Sequence, residues 1–200
     1  MEPLITLGVV ADTHVPDRVN ALHPALIESL RVQGVQRILH AGDVCVPAVL
    51  DELEQVAPVS AARGNRDWMF TPALPWAVEM ELGGARLALV HGQGSFLRYW
   101  WDKVLYVLQG YRFERYRNVV LRACPHADVI IYGHTHQAEN RREGGRLFFN
   151  PGSASLGIIP GRVPPSFGVL RVYTGGRVEG EIHVLKGWKV QRGRWVREIG

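Results

Sequence analysis

Five apolar runs in this 200-residue chain each end in a short polar motif. In order, the motifs are Asp12-Thr13-His14, Gly42-Asp43, Gly64-Asn65-Arg66-Asp67, His91-Gly92 and Gly133-His134-Thr135-His136. Residues 4–11 form a near-continuous apolar run, the pattern of a strand covered on both faces. Residues 37–41, 59–62, 86–90 and 129–132 read as further strands, so every motif falls at or just past a strand's carboxyl end. Ligand sites in open α/β sheets form outside those ends. Aligning the strands therefore gathers carboxylates, imidazoles and one amide, with no thiol, into a single site. Donors of this kind suit hard to borderline divalent cations.

The intervening sequence predicts helices over 22–33 and 47–55, the first stopped by Gly34 and the second opened by Pro47. Residues 78–82 and 86–90 read as a hairpin around Gly83-Gly84. A strand over 147–149 leads into Asn150-Pro151-Gly152-Ser153, and 167–173 with 179–185 form a closing hairpin through Gly175-Gly176. Residues 92–122 interleave aromatics with arginines and predict helices over 99–109 and 112–122. This stretch reads as a helical insertion at the active-site rim. It serves as a cover or a homo-oligomer interface, or else grips a nucleotide base and phosphate. Residues 186–200 carry no functional reading.

Length and apolar content predict one α/β domain over 1–200. No apolar run reaches membrane-spanning length and no leader pattern opens the chain, so the expected location is cytoplasmic, without membrane partners. Cys45 and Cys124 stand apart and read as reduced, buried thiols. The net charge of +4 is almost all arginine, since Lys103, Lys186 and Lys189 are the only lysines. That balance helps to attract phosphate-bearing substrates. Nucleic acid is a partner that the charge allows, but no recognised binding module supports it.

Ser95, Ser153 and Ser155 lack a Gly-x-Ser-x-Gly nucleophile elbow. The inferred nucleophile is metal-bound hydroxide. The ordered set Asp-x-His, Gly-Asp, Gly-Asn-x-Asp, His and Gly-His-x-His resembles the calcineurin-like metallophosphoesterases, most closely their small bacterial and archaeal single-domain phosphodiesterases. Asn150-Pro151-Gly152-Ser153 matches a stretch common in that subgroup. The resemblance implies a β-sandwich of two mixed sheets flanked by helices. It implies two divalent metal ions, Mn above Fe, Zn, Ni, Co or Mg. Asp12, His14 and His136 would bind one, Asn65, His91 and His134 the other, and Asp43 would bridge. Asn65, Arg66 and His134 would serve catalysis. The implied activity is phosphodiester hydrolysis of a small molecule or nucleotide. A phosphomonoesterase, protein phosphatase or nucleotide hydrolase is the alternative within the class, and a non-catalytic partner-binding scaffold the alternative outside it.

One position departs from the family pattern. Many members carry His where this chain has Arg66. A guanidinium offers a phosphate a fixed charge and a hydrogen-bond fork, but it is no ordinary proton donor. Arg66 pairing with Asp67, or reaching solvent, is the structural alternative. Arg18 reads as a member of a structural ion pair or a phosphate contact. His40 reads as a satisfied core histidine, and His23, His126 and His183 as packing or surface residues. Thr135 is expected to hydrogen-bond a neighbouring ligand.

Overall fold

The computed structural model describes residues 2–94, 101, 105, 106, 108–157 and 163–198. The run at the amino end forms β1 (Ile5–Val10), and it lies in the middle of a five-stranded mixed sheet. On one side it pairs in parallel with β2 (Arg37–His40), which pairs in parallel with β3 (Val59–Ala61). On the other it pairs antiparallel with β9 (Ser166–Val172), which continues into β10 (Val178–Val184).

A second five-stranded sheet is also mixed, with a different order. β5 (Ala85–Val90), β6 (Val129–Ile131) and β8 (Arg146–Pro151) run parallel, while β4 (Ala77–Leu82) and β7 (Ala138–Glu143) close the edges antiparallel. A small hairpin of β11 (Trp188–Gln191) and β12 (Arg194–Arg197) completes the strands.

The period-2 alternation of a strand explains the layers. Leu7, Val9 and Ala11 point inward and meet Leu87, Leu89, Ile131, Leu147 and Phe149 from the facing sheet. The other face of the first sheet, with Val10, Ile38 and Val169, is covered by α1 (Leu26–Val32) and α2 (Pro47–Glu54) through Leu26, Leu30, Val49 and Leu53. The outer face of the second sheet is covered by α3 (Phe113–Ala123) through Phe113, Val120 and Cys124. Each large apolar side chain removed from water in this way contributes roughly 1.5–3 kcal/mol. Phe149 fits only because Gly168 and Gly180 face it; a Cβ at either position would overlap its ring.

The predicted two-sheet architecture with flanking helices is the one observed. Three details differ. The first helix starts at Leu26 rather than 22, because Pro24 disfavours helical geometry in the residue before it. Strand β7, with the sequence Ala-Glu-Asn-Arg-Arg-Glu, lacks an apolar face and escaped the periodicity reading, as did β11 and β12. Of the helix expected over 99–109, residues 101, 105, 106, 108 and 109 are helical and the rest lie outside the described residues. The second expected helix is α3, displaced by one residue. No helix among the described residues is long and apolar enough to cross a membrane.

Candidate metal centre

The carboxyl ends of β1, β2, β3, β5 and β6 converge, and the loops leaving them are bent sharply. Asp12, His14, Asp43, His134 and His136 all adopt the left-handed backbone region, with φ between 50 and 68°. A non-glycine residue there costs about 1–3 kcal/mol, and such residues cluster where function demands a strained geometry. The surrounding structure holds them in place. Ser153 and Ser155 donate their hydroxyls to the Asp12 carbonyl at 2.9 and 2.7 Å. Asn150 donates to the Gly133 carbonyl at 2.8 Å and to Thr135 Oγ1 at 3.0 Å. The buried Asp67 carboxylate accepts the backbone N–H groups of Asp43, Cys45 and Gly64 at 3.0, 2.8 and 2.7 Å.

Seven donor side chains meet in two groups. In the first, His136 Nε2 lies 3.3 Å from Asp12 Oδ1 and 3.2 Å from His14 Nε2. In the second, Asn65 Oδ1 lies 3.1 Å from both His91 Nε2 and His134 Nδ1. Asp43 stands between them, with Oδ2 3.6 Å from His14 Nε2 and Oδ1 3.5 Å from His91 Nε2. Donors bound to one cation at about 2.1 Å sit about 3.0–3.4 Å apart along the edge of an octahedron or tetrahedron. Most of the separations fall at or near that range.

The protons reinforce this geometry. His91 Nδ1 donates to the Ala41 carbonyl at 2.7 Å, and His136 Nδ1 to the Leu156 carbonyl at 2.6 Å. A carbonyl only accepts, so in the neutral rings both Nε2 atoms present lone pairs. Those lone pairs face carboxylate and amide oxygens, or another imidazole. Burial pushes His14 down to about 2, which keeps that imidazole neutral as well. Burial raises Asp43 to about 6, and burial opposes the His91 charge while the Asp43 and Asp12 carboxylates outweigh it and raise its pKa. Asp12 Oδ1 is fully buried with no hydrogen-bond partner. Among the described residues, no lysine or arginine side chain pairs with Asp12 or Asp43. Buried carboxylates that face imidazoles rather than lysine or arginine, with ligand atoms converging, fit divalent cations. Asp12, His14 and His136, and separately Asp12, Asp43 and His91, each bring three ligand atoms close enough to hold one.

The structure brings together all seven residues that the motifs nominated as ligands. It corrects four satellite expectations. Arg66 does not pair with Asp67, whose oxygens are filled by backbone donors; its guanidinium faces Asp17 at 3.6 Å, and its backbone N–H donates to Asp43 Oδ1 at 2.8 Å. Asp17 therefore pairs with Arg66 rather than Arg18. Thr135 bonds Asn150 and the Gln137 N–H rather than a ligand side chain. His40 Nε2 lies 3.2 Å from Thr13 Oγ1, but its Nδ1 has no partner, so the core histidine is only half satisfied. His23, expected to pack, stands edge-on to Trp195 with ring centroids 4.6 Å apart. Sequence reasoning gave no supporting role to Asp67, Ser153, Ser155 or Tyr116, whose ring stands edge-on to His134. Asp67 and Ser153 lie within quoted motifs, but spacing does not reveal their contacts, which reach residues distant in sequence or the backbone.

A cluster of candidate metal ligands at the strand ends of a two-sheet sandwich points to a metal-dependent hydrolase class, and similarity to known proteins agrees. Residues 5–175 match the calcineurin-like phosphoesterase superfamily domain, and the chain belongs to that family. A probable metallophosphoesterase of Methanothermobacter thermautotrophicus is 35% identical over 176 residues, 88% of this chain and 90% of the relative. Vacuolar protein sorting 29 (Vps29) of Cryptosporidium parvum shares the fold with a TM-score of 0.69 at 21% identity, covering 96% of this chain and 94% of that one. A structure described as a novel archaeal phosphodiesterase has a TM-score of 0.59 at 19% identity, covering 90% of this chain and all of that one.

Proposed function

We propose that this protein is a phosphodiesterase whose centre holds two divalent metal ions, with Mn the first candidate. The observation that carries the reading is the convergence of seven donor side chains, five of them buried and Asn65 and His134 half-buried, whose ligand atoms face one another. Asp12, His14 and His136 would hold one ion, Asn65, His91 and His134 the other, and Asp43 both. When bound, the ions supply Lewis acidity toward the phosphoester and a water activated near neutral pH. The protein's own residues do the rest. The Ala41 and Leu156 carbonyls fix the tautomers of His91 and His136. Asp67 sets the Asp43 backbone. The half-exposed Arg66 guanidinium, steadied by Asp17, lies where it can orient a phosphate, to which a guanidinium offers charge and a hydrogen-bond fork rather than a proton for the leaving group. The whole chain would act as one metallophosphoesterase domain, with residues 92–122 at the rim.

The test is hydrolysis of bis-p-nitrophenyl phosphate with added Mn, compared with Asp43→Ala and His134→Ala. Turnover lost by at least 10³-fold in both variants is expected. A wild-type protein inactive across a panel of metals and phosphate esters would overturn the proposal. It would also favour a second reading, a partner-binding scaffold, which the likeness to Vps29 structures makes worth testing; one of these is complexed with a cyclic peptide.

A further inference from the structure

A cavity of about 1040 Å³ opens beside the metal centre, and the metal-ligand candidate His91 and its neighbour Gly92 form part of its wall. Pockets of roughly 300–1,000 Å³ hold molecules of drug size, so the space exceeds what a phosphate alone requires. Its remaining described lining includes Trp76, Gln93, Arg115, Val119 and Arg122.

Three features of this lining point to one kind of ligand. First, α3 is amphipathic on two sides. Phe113, Tyr116 and Val120 bury one side, whereas Arg115, Val119, Arg122 and Ala123, spaced i, i+4, i+7 and i+8, give the cavity a second side. Second, Arg122 places an exposed guanidinium on the lining, a group that favours an anion, while Arg115 beside it donates to Gln109 Oε1. Third, Trp76 is 62% exposed, and the Arg63 guanidinium lies over its ring, 4.6 Å from the centroid. A ring engaged by a cation on one face and largely solvent-exposed is a stacking platform for a planar group. Gln93 adds an amide able to donate and accept along the edge of such a group.

We infer that this cavity is a subsite for the nucleoside arm of a nucleotide phosphoester, with the base stacked on Trp76 and anionic oxygens drawn toward Arg122. This deepens the phosphodiesterase reading and rests on it for placing the reacting phosphate near His91. It restricts the substrate class to phosphoesters carrying a planar, edge-polar group.

Binding separates the subsite from the chemistry. AMP and ribose 5-phosphate, which differ by the base alone, are titrated calorimetrically into the metal-stripped protein, where no turnover intervenes. AMP is expected to bind at least tenfold more tightly. Trp76→Ala is expected to bring the ratio below threefold, and Arg122→Ala to weaken both ligands, while circular dichroism confirms that the variants fold. In the Mn-loaded protein, thymidine 5′-p-nitrophenyl phosphate should exceed ethyl p-nitrophenyl phosphate in kcat/KM, and Trp76→Ala should erode that advantage. Equal affinity for AMP and ribose 5-phosphate, or a ratio unchanged by Trp76→Ala, overturns the inference. Selective AMP binding without hydrolysis of any diester would leave the subsite standing and refute the hydrolase reading instead.

Discussion

The backbone N–H of Asp43 donates to the carboxylate of Asp67 at 3.0 Å, so the residue between the two donor groups is held by an acid that approaches neither of them. The same carboxylate binds the N–H groups of Cys45 and Gly64, tying the loops after β2 and β3 together. Charge-assisted hydrogen bonds to buried backbone are strong, and a donor left unpaired costs about 1–3 kcal/mol. Asp67→Asn keeps the shape but turns an NH₂ group toward at least one N–H donor. Metal affinity should fall 10- to 100-fold, the range seen when a ligand loses its outer support. Metal content by elemental analysis and thermal melting check this; a variant with full metal content and an unchanged Tm would contradict it.

Gly64 occupies the other side of the same junction. A Cβ there would collide with the backbone nitrogen and Cα of Asp43, atoms that cannot rotate aside. Gly64→Ala should therefore displace Asp43 and depress both metal content and kcat/KM. At Gly144 a Cβ meets nothing, so Gly144→Ala pays only the strain of φ 58° in a hairpin turn. That variant should keep its metal.

Much of this arrangement was readable from residues alone because it rests on period and order. Apolar runs at 4–11 and 129–132 announced buried strands, and their polar ends announced the donors. What stayed illegible is carried by contacts between distant residues. Nothing near Ser153 or Ser155 in sequence reveals that both hold the Asp12 carbonyl, since 141 and 143 positions separate the partners. Strand β7 was missed because it is an edge strand with charged and polar residues on both faces, although Gly144-Gly145 marked its turn. The helix after Leu22 was drawn too long because its apolar spacing outweighed Pro24 in the reading; the ring's steric effect outweighs the spacing in the fold.

His23 links the carboxyl-terminal hairpin to pH. It is buried against Trp195, its Nδ1 accepts the Ala25 N–H at 3.1 Å, and burial lowers its pKa to about 4 from an ordinary 6.5. Between those two values the unfolded chain binds a proton that the folded chain refuses. Acidification through that window therefore favours unfolding, and below about pH 4 the penalty levels off. From pH 7.5 to 5 the loss attributable to this residue is about 2 kcal/mol. Urea titrations of the wild type and His23→Leu at both pH values should show a correspondingly smaller drop in the variant. Equal drops would exclude His23 as the source.

Cys124 ends α3 fully buried, and burial pushes its thiol up to about 11. The reactive species is the thiolate, so both low access and a low thiolate fraction protect it. Iodoacetamide at pH 8 should label Cys124 at least 100-fold more slowly in the native protein than in urea, as read by peptide mass spectrometry. Similar rates would show that α3 opens readily from the second sheet.

On the phosphoesterase reading proposed above, Arg66 is expected to set which ester the centre prefers. Its guanidinium lies 3.6 Å from Asp17 Oδ2, an oxygen that itself lies 3.5 Å from His14 Nδ1, so the cation stands beside the first donor group without entering it. A permanent positive charge there can bind a phosphate oxygen of a diester, whereas an imidazole in its place can also give a proton to a leaving group. Replacing Arg66 by His should shift the ratio of kcat/KM for p-nitrophenyl phosphate over bis-p-nitrophenyl phosphate toward the monoester, by about tenfold, less than the roughly 10²–10⁴-fold that a fully positioned general acid contributes. Arg66→Ala should lower activity on both esters without that shift. If the ratio stays fixed across wild type, Arg66→His and Arg66→Ala, the pair Arg66–Asp17 is structural and ester selectivity lies elsewhere in the site.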